Sequence, residues 1–148
     1  MKEFLSQYGG QIATLSLEHI WLTGAAMLFA TAIAVPAGIW LTRAPRWANP
    51  VIGAANVLQT IPSLAMFGFL LPLPWLGERA ARIAIVALTA YALLPIVRNT
   101  YAGIRGIDPA VVEVARALGL TDGQRLFKVE LPLAASFILA GLRTATVT

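Results

Sequence analysis

The sequence predicts an all-α membrane protein: a polytopic helical bundle with three full spans and a partial fourth. Three observations predict it. Hydrophobic residues make up 58% of the chain and charged residues 12%, far from the roughly half and quarter of soluble domains. The apolar residues gather in runs at 20–41, 51–71, 83–104 and 133–148, and a crossing needs about 20 such residues. A charged, helix-forming island, 105–132, separates the last two runs.

At 148 residues the chain holds at most one domain. Residues 1–18 read as an amphipathic segment at the outer membrane surface, with Phe4, Leu5, Tyr8, Ile12, Leu15 and His19 spaced for one helical face. A cleavable leader fits less well, because the first apolar run starts late and ends on Arg43 rather than a small-residue cleavage site. Residues 19–148 form the transmembrane domain. In the first run Ala26, Ala30, Ala34 and Gly38 recur every four residues, a stripe that lets another helix approach closely.

The second run carries Asn56, Gln59, Thr60, Pro62 and Ser63 near its middle. Pro62 removes a backbone hydrogen bond and predicts a kink. Polar groups at that depth turn to a bundle interior or a wet cavity, so these five are candidates for lining a translocation path. The alternative is a kinked packing helix with satisfied amides. The third run contains Pro95, a second predicted kink, and ends near Arg98, whose stem reaches the interface by snorkelling. The fourth run is short of a crossing. Arg143 lies inside it and is expected to face protein or water, meeting Asn56, Gln59 or a backbone carbonyl; it joins the path candidates.

The island has its own punctuation. Asp108 caps a helix with Pro109 in its first turn, and Gly119 supplies the left-handed residue that ends it, with Leu120 beyond. Thr121 and Gln124 stand at capping-box spacing and start a second helix, Asp122 to Glu130. Pro132 then marks the entry into the last apolar run.

These residues carry a resemblance. Glu113, Ala115, Gly119, Val129, Leu131 and Pro132 are similar to the EAA loop of ABC-transporter permeases, with Val114 and Val129 as small departures. The string Ala55-Asn-Val-Leu-Gln-Thr-Ile-Pro-Ser-Leu-Ala65 resembles permeases for glycine betaine, choline and carnitine. Ile138 to Thr146 resembles the helix that follows the coupling loop. The similarity runs from about residue 15 to 148, and the family's C-terminal portion is expected to be missing.

The resemblance implies the type I importer permease fold and a multi-pass place in the bacterial inner (cytoplasmic) membrane. It implies a subunit that translocates quaternary ammonium osmoprotectants and is not itself an enzyme. The implied partners are a pair of ABC ATPase subunits, a second permease copy or a homologous permease, an extracytoplasmic substrate-binding protein, and membrane lipid. It assigns ATPase coupling to Glu113, Ala115, Ala117, Leu118, Gly119, Leu131 and Pro132. Val111, Val112, Ala115 and Leu118 are expected to seat in the partner's groove, with Glu113 and Arg116 at its rim. A truncated permease that acts as a scaffold without transporting is the alternative.

Charge gives an orientation. Arg43, Arg46, Arg98, Arg105, Arg116, Arg125 and Lys128 fall on one side, seven in all. Lys2, Arg79 and Arg82 fall on the other, three in all, with Arg143 set aside. The larger count places the island in the cytoplasm and the N-terminus outside.

Several function classes fail on composition. There is no Cys and one His, so thiolate metal sites and His-pair zinc sites are excluded, and no cofactor or metal is expected. No phosphate-binding G-x-x-x-x-G-K-[ST] loop occurs. Both Asp residues lie in the island, which leaves no paired-Asp constellation for intramembrane hydrolysis. The net charge of +4 comes without a basic face interleaved with aromatics, so nucleic acid is not a partner. Trp21, Phe29, Trp40, Phe67, Phe69, Tyr91 and Tyr101 form no evident cage for a quaternary ammonium group.

Overall fold

The computed structural model describes residues 2–76 and 79–147, with side chains from residue 8 onward. The Phe4 and Leu5 side chains of the predicted amphipathic face lie outside that description. All regular structure among the described residues is helical.

Helix α1 runs unbroken from Lys2 to Arg43, 42 residues through Pro36, or roughly 60 Å at the ordinary rise. The expected surface segment and the first apolar run thus share one helix. Residues 10–21 are exposed, and burial begins at Leu22. A short 3-10 turn, Pro45–Trp47, leads into α2 (Ala48–Thr60) and α3 (Ser63–Leu70). Turns over 71–76 follow, and α4 spans Ala80–Arg105. Then come α5 (Pro109–Ala117), α6 (Asp122–Arg125), a wide π turn at Leu126–Glu130 and α7 (Leu131–Val147).

Among the described residues two helices, α1 and α4, are long and apolar enough to cross a membrane. They form the centre of the fold through small residues. Ala26, Ala30 and Ala34 are buried, and Ala30, Ala34 and Leu41 meet Ala92, Ile96 and Val97 of α4 and Ala145 of α7 in one core. A Cβ on Gly38 would lie 2.7 Å from the Thr100 Cβ, so only glycine permits that approach. The stripe read in the sequence is therefore the α1–α4 seam. Its register is parallel: Gly38 sits beside Thr100, and one end away the Thr89 hydroxyl donates to the Ala26 carbonyl at 3.4 Å.

Helix α7 packs antiparallel on α4 by the same device. A Cβ on Gly103 would meet the Phe137 Cβ at 2.7 Å, and one on Gly141 would meet the Pro95 carbonyl oxygen at 2.9 Å. Leu28, Phe29, Ile33 and Trp40 of α1 point outward and are exposed. Apolar surface on that scale calls for lipid or another protein rather than water.

The second apolar run does not form one kinked helix. It breaks between α2 and α3, whose axes differ by 95°. Ile61 is extended, with φ −72° and ψ 123°, as sterics demand of a residue before proline. Pro95, by contrast, sits inside an uninterrupted α4. The island's second helix does not stop at Glu130 as expected. Helical structure continues from Asp122 through Val147, and the turn before Pro132 widens so that the Leu131 N–H bonds to the Leu126 carbonyl. Widening of this kind lets a helix absorb a local defect without ending.

Candidate functional site

The island folds as its sequence dictates. The Asp108 carboxylate accepts the Ala110 N–H at 2.9 Å, with Pro109 in the first turn. Gly119 has φ +78°, a conformation that costs glycine nothing. The Leu120 N–H reaches the Ala115 carbonyl at 3.2 Å and the Gly119 N–H the Arg116 carbonyl at 2.9 Å, the double bond of a Schellman ending. Thr121 and Gln124 exchange hydrogen bonds in both directions as a capping box. Helix α5 is thus fixed at both ends despite having only nine residues.

Its faces differ from the expectation. Ala115 is buried at 4% exposure and Val112 is half-buried, so neither is presented to a partner. The outward apolar stripe is Val111, Val114 and Leu118, at 40%, 59% and 74% exposure. A short helix with apolar residues on every side does not announce which face its own chain covers. Val114, read in the sequence as a mere departure from the motif, is on the exposed one. Glu113, Ala117, Gly119 and Pro132 are exposed and Leu131 is half-buried.

Beneath α5 lies a charge cluster that the loop reading missed. Arg125, counted only as a cytoplasmic loop cation, is 3% exposed, and Glu130 is 2% exposed. The Arg125 Nε donates to Glu130 Oε1 at 2.9 Å, and its Nη2 pairs with the Asp122 carboxylate at 2.8 Å. The other Glu130 oxygen, Oε2, accepts from Arg43 at the end of α1. The hydrogen bond that Arg125 donates to Glu130 holds the Arg125 pKa above its ordinary value despite the opposing effect of burial, and the charges of Glu130 and Asp122 act in the same direction. Removing Glu130 would leave the buried guanidinium with the exposed Asp122 carboxylate as its one acidic partner and its Nε without an acceptor, which destabilises the loop. The local signal was the Asp122, Arg125, Glu130 spacing; nothing local pointed to Arg43.

The path candidates divide. Gln59, Thr60, Pro62 and Ser63 come together with Ile61 and Tyr91 around a groove of about 290 Å³. Asn56 is exposed one turn earlier on α2. Arg143 lines a separate groove on α7 with Ser136 and Leu139. It makes no hydrogen bond or ion pair with Asn56, Gln59 or any other described residue, contrary to the expected polar meeting. Arg98 is exposed and shares a third groove with Gln59, Asn99 and Thr144.

Gln59 has a specific duty. Pro95 has no N–H for the carbonyl four residues back, which is that of Tyr91. The Gln59 Nε2 donates to the Tyr91 carbonyl at 2.9 Å. In return the Tyr91 hydroxyl donates to the Ile61 carbonyl at the α2–α3 break. The carbonyl that Pro95 leaves unmet and the Ile61 carbonyl at the α2–α3 break are each satisfied by a side chain from the other helix. In the sequence Tyr91 figured only as an aromatic.

A fold of apolar helices meeting through small residues, with a capped and partly uncovered helix on a polar connection, defines a multi-pass membrane protein. Residues 30–148 match the model of the family described as "binding-protein-dependent transport system inner membrane component", and the chain belongs to that family. It is similar to the choline transport system permease protein OpuBB of Bacillus subtilis (strain 168), 43% identical over 145 residues, covering 98% of this chain and 65% of that protein. It is similar to the carnitine transport permease protein OpuCB of Listeria monocytogenes, 42% identical, covering 97% of this chain and 65% of that one. The osmoprotectant import permease protein OsmW of Salmonella typhimurium is 40% identical, with 97% and 68% covered. The chain thus spans just under two thirds of the length of the first two relatives.

Proposed function

We propose that the chain is the translocation subunit of an ATP-driven importer for quaternary ammonium osmoprotectants, of the class of glycine betaine, choline and carnitine. Hydrolysis belongs to a separate pair of ATPase subunits. A second permease copy or a homologue completes the path, and an extracytoplasmic binding protein delivers the solute. The observation that carries this reading is α5: a helix capped at both ends whose Val111, Val114 and Leu118 are left uncovered by their own chain. The relatives' named substrates supply the solute class.

The topology we infer has the N-terminus outside, the Arg43 end of α1 and the island in the cytoplasm, and residues 10–18 at the outer surface. The parallel register of α1 and α4 supports a crossing between them, because two parallel spans joined in sequence need a return through the same thickness. The broken α2–α3 pair with the turns at 71–76 makes that return. Helix α7, at 17 residues, begins a fourth passage. Glu113, Ala117, Leu118, Gly119, Leu131 and Pro132 shape the docking loop, with Ala115 seating α5 on its own chain. Gln59, Thr60, Pro62, Ser63, Asn56 and Arg143 remain the path candidates, with Gln59 acting through its bond to Tyr91.

The test is uptake of labelled choline, glycine betaine and carnitine by vesicles holding the full-length chain with its ATPase and binding protein. The Gly119→Asp variant should insert normally yet take up none of the three. An added Cβ there meets nothing within 4 Å, so the cost is the backbone strain of the left-handed φ, about 1–2 kcal/mol, while a charge is placed beside Leu118. Undiminished uptake by that variant would remove the coupling assignment.

A further inference from the structure

We propose that Arg43 is a positioning residue that locks the α5–α6 unit to the cytoplasmic end of α1, so that a displacement of α5 is delivered to α1. This rests on the reading of α5 as the helix an ATPase moves.

Three observations carry it. Helix α5 packs chiefly on α6 and the π turn rather than on α1. Those two elements hold Arg125 and Glu130, both buried and bonded to each other, and the hydrogen-bonded turn over 115–124 fixes α5 to α6, so the three are joined as one piece. Between that piece and the end of α1 lies a cavity of about 530 Å³, lined by Thr42, Arg43, Arg105, Glu113 and Arg116 among others. Across that gap α1 reaches the piece through the Arg43–Glu130 ion pair.

The geometry also divides the labour between the two arginines. Glu130 gives one oxygen to each. Arg125 neutralises the buried carboxylate and keeps the loop folded. Arg43 is 41% exposed and adds the connection to α1. Removing Arg43 leaves Glu130 paired, so the loop stays intact while its link to the span is cut. A displacement of α5 then reaches α1 by the longer routes alone, through residues 106–108 and α4 or along α7, which continues the π turn and packs on α4 and α1.

Because the chain has no cysteine, a nitroxide pair at Arg46→Cys and Ala110→Cys, both exposed positions, reports the distance between the end of α1 and α5. The full-length chain, assembled with its ATPase and binding protein in vesicles, should give one narrow distance distribution. Arg43→Ala should broaden it and lower the solute moved per ATP by at least about fivefold, the low end of ordinary coupling between sites, while ATP hydrolysis continues. Arg43→Lys should restore part of both. A narrow distribution in Arg43→Ala, or an unchanged ratio of solute to ATP, would overturn the proposal. If the unsubstituted complex hydrolyses ATP without moving solute, the transport reading fails. The distance distribution then decides the lock alone: broadening upholds it and a narrow peak refutes it.

Discussion

Gln59 and Tyr91 show how much one side chain decides in a chain of this composition. In a water-filled loop an orphaned carbonyl is solvated at little cost. Within apolar surroundings each unmet backbone group costs several kcal/mol in principle. Replacing Gln59 by Leu keeps the side chain's size and removes its donor, leaving the Tyr91 carbonyl unmet. The expected loss is about 1–3 kcal/mol, measured as thermal unfolding in detergent. A polar residue in the middle of an apolar run had two readings from sequence, a path lining or a satisfied amide. The structure places Gln59 in a groove with its amide already engaged. What kept this from view was the second partner, 32 residues away, whose need arises from a proline a further turn along.

At the scale of elements, the legible parts are those whose causes are local. Asp108, Gly119 and the Thr121–Gln124 box behaved as read, because a cap is a hydrogen bond within four residues. The small-residue stripe on α1 was legible for the same reason, since period and residue size alone specify a close approach. The inner and outer faces of α5 were not, because they depend on where α6 and the π turn lie. Seams of this kind make a sharp prediction. A Leu at Gly141 would drive its Cβ against the Pro95 carbonyl oxygen, 2.9 Å away, and backbone cannot yield as a side chain can. Gly141→Leu should destabilise the α4–α7 pair by about 1–3 kcal/mol or more. Gly53→Ala inside α2, where an added Cβ meets nothing within 4 Å, should hold or raise the unfolding temperature, since glycine inside a helix is less stable than alanine.

For the whole molecule, orientation is the claim on which the docking reading stands. Single cysteines at Gly123 and Gly77 test it in an otherwise cysteine-free chain; Gly77 lies outside the described residues. Gly123 should react with an impermeant thiol reagent only from the cytoplasmic side and Gly77 only from the outer side. The reverse pattern would place α5 away from any cytoplasmic ATPase. Loop charge predicted this arrangement, whereas the choice of α4 as the partner of the α1 stripe was not legible beside it. Yet charge counting also treated Arg125 and Arg43 as interchangeable loop cations. Folding gave one a buried carboxylate and the other a place at the end of a span, distinctions that a tally of signs does not contain.

The exchange of hydrogen bonds between the Pro95 defect and the α2–α3 break has a consequence for how such a sequence can drift. A substitution of Pro95 by Ala returns an N–H to α4 that competes for the Tyr91 carbonyl, and Gln59 is then surplus. With Pro95 in place, the same loss of Gln59 is penalised. Harm at one position is thus conditional on the residue at the other, and the order of substitution matters: proline first opens a neutral route, glutamine first a deleterious one. Descendants of this chain should therefore lose or keep the two residues as a pair.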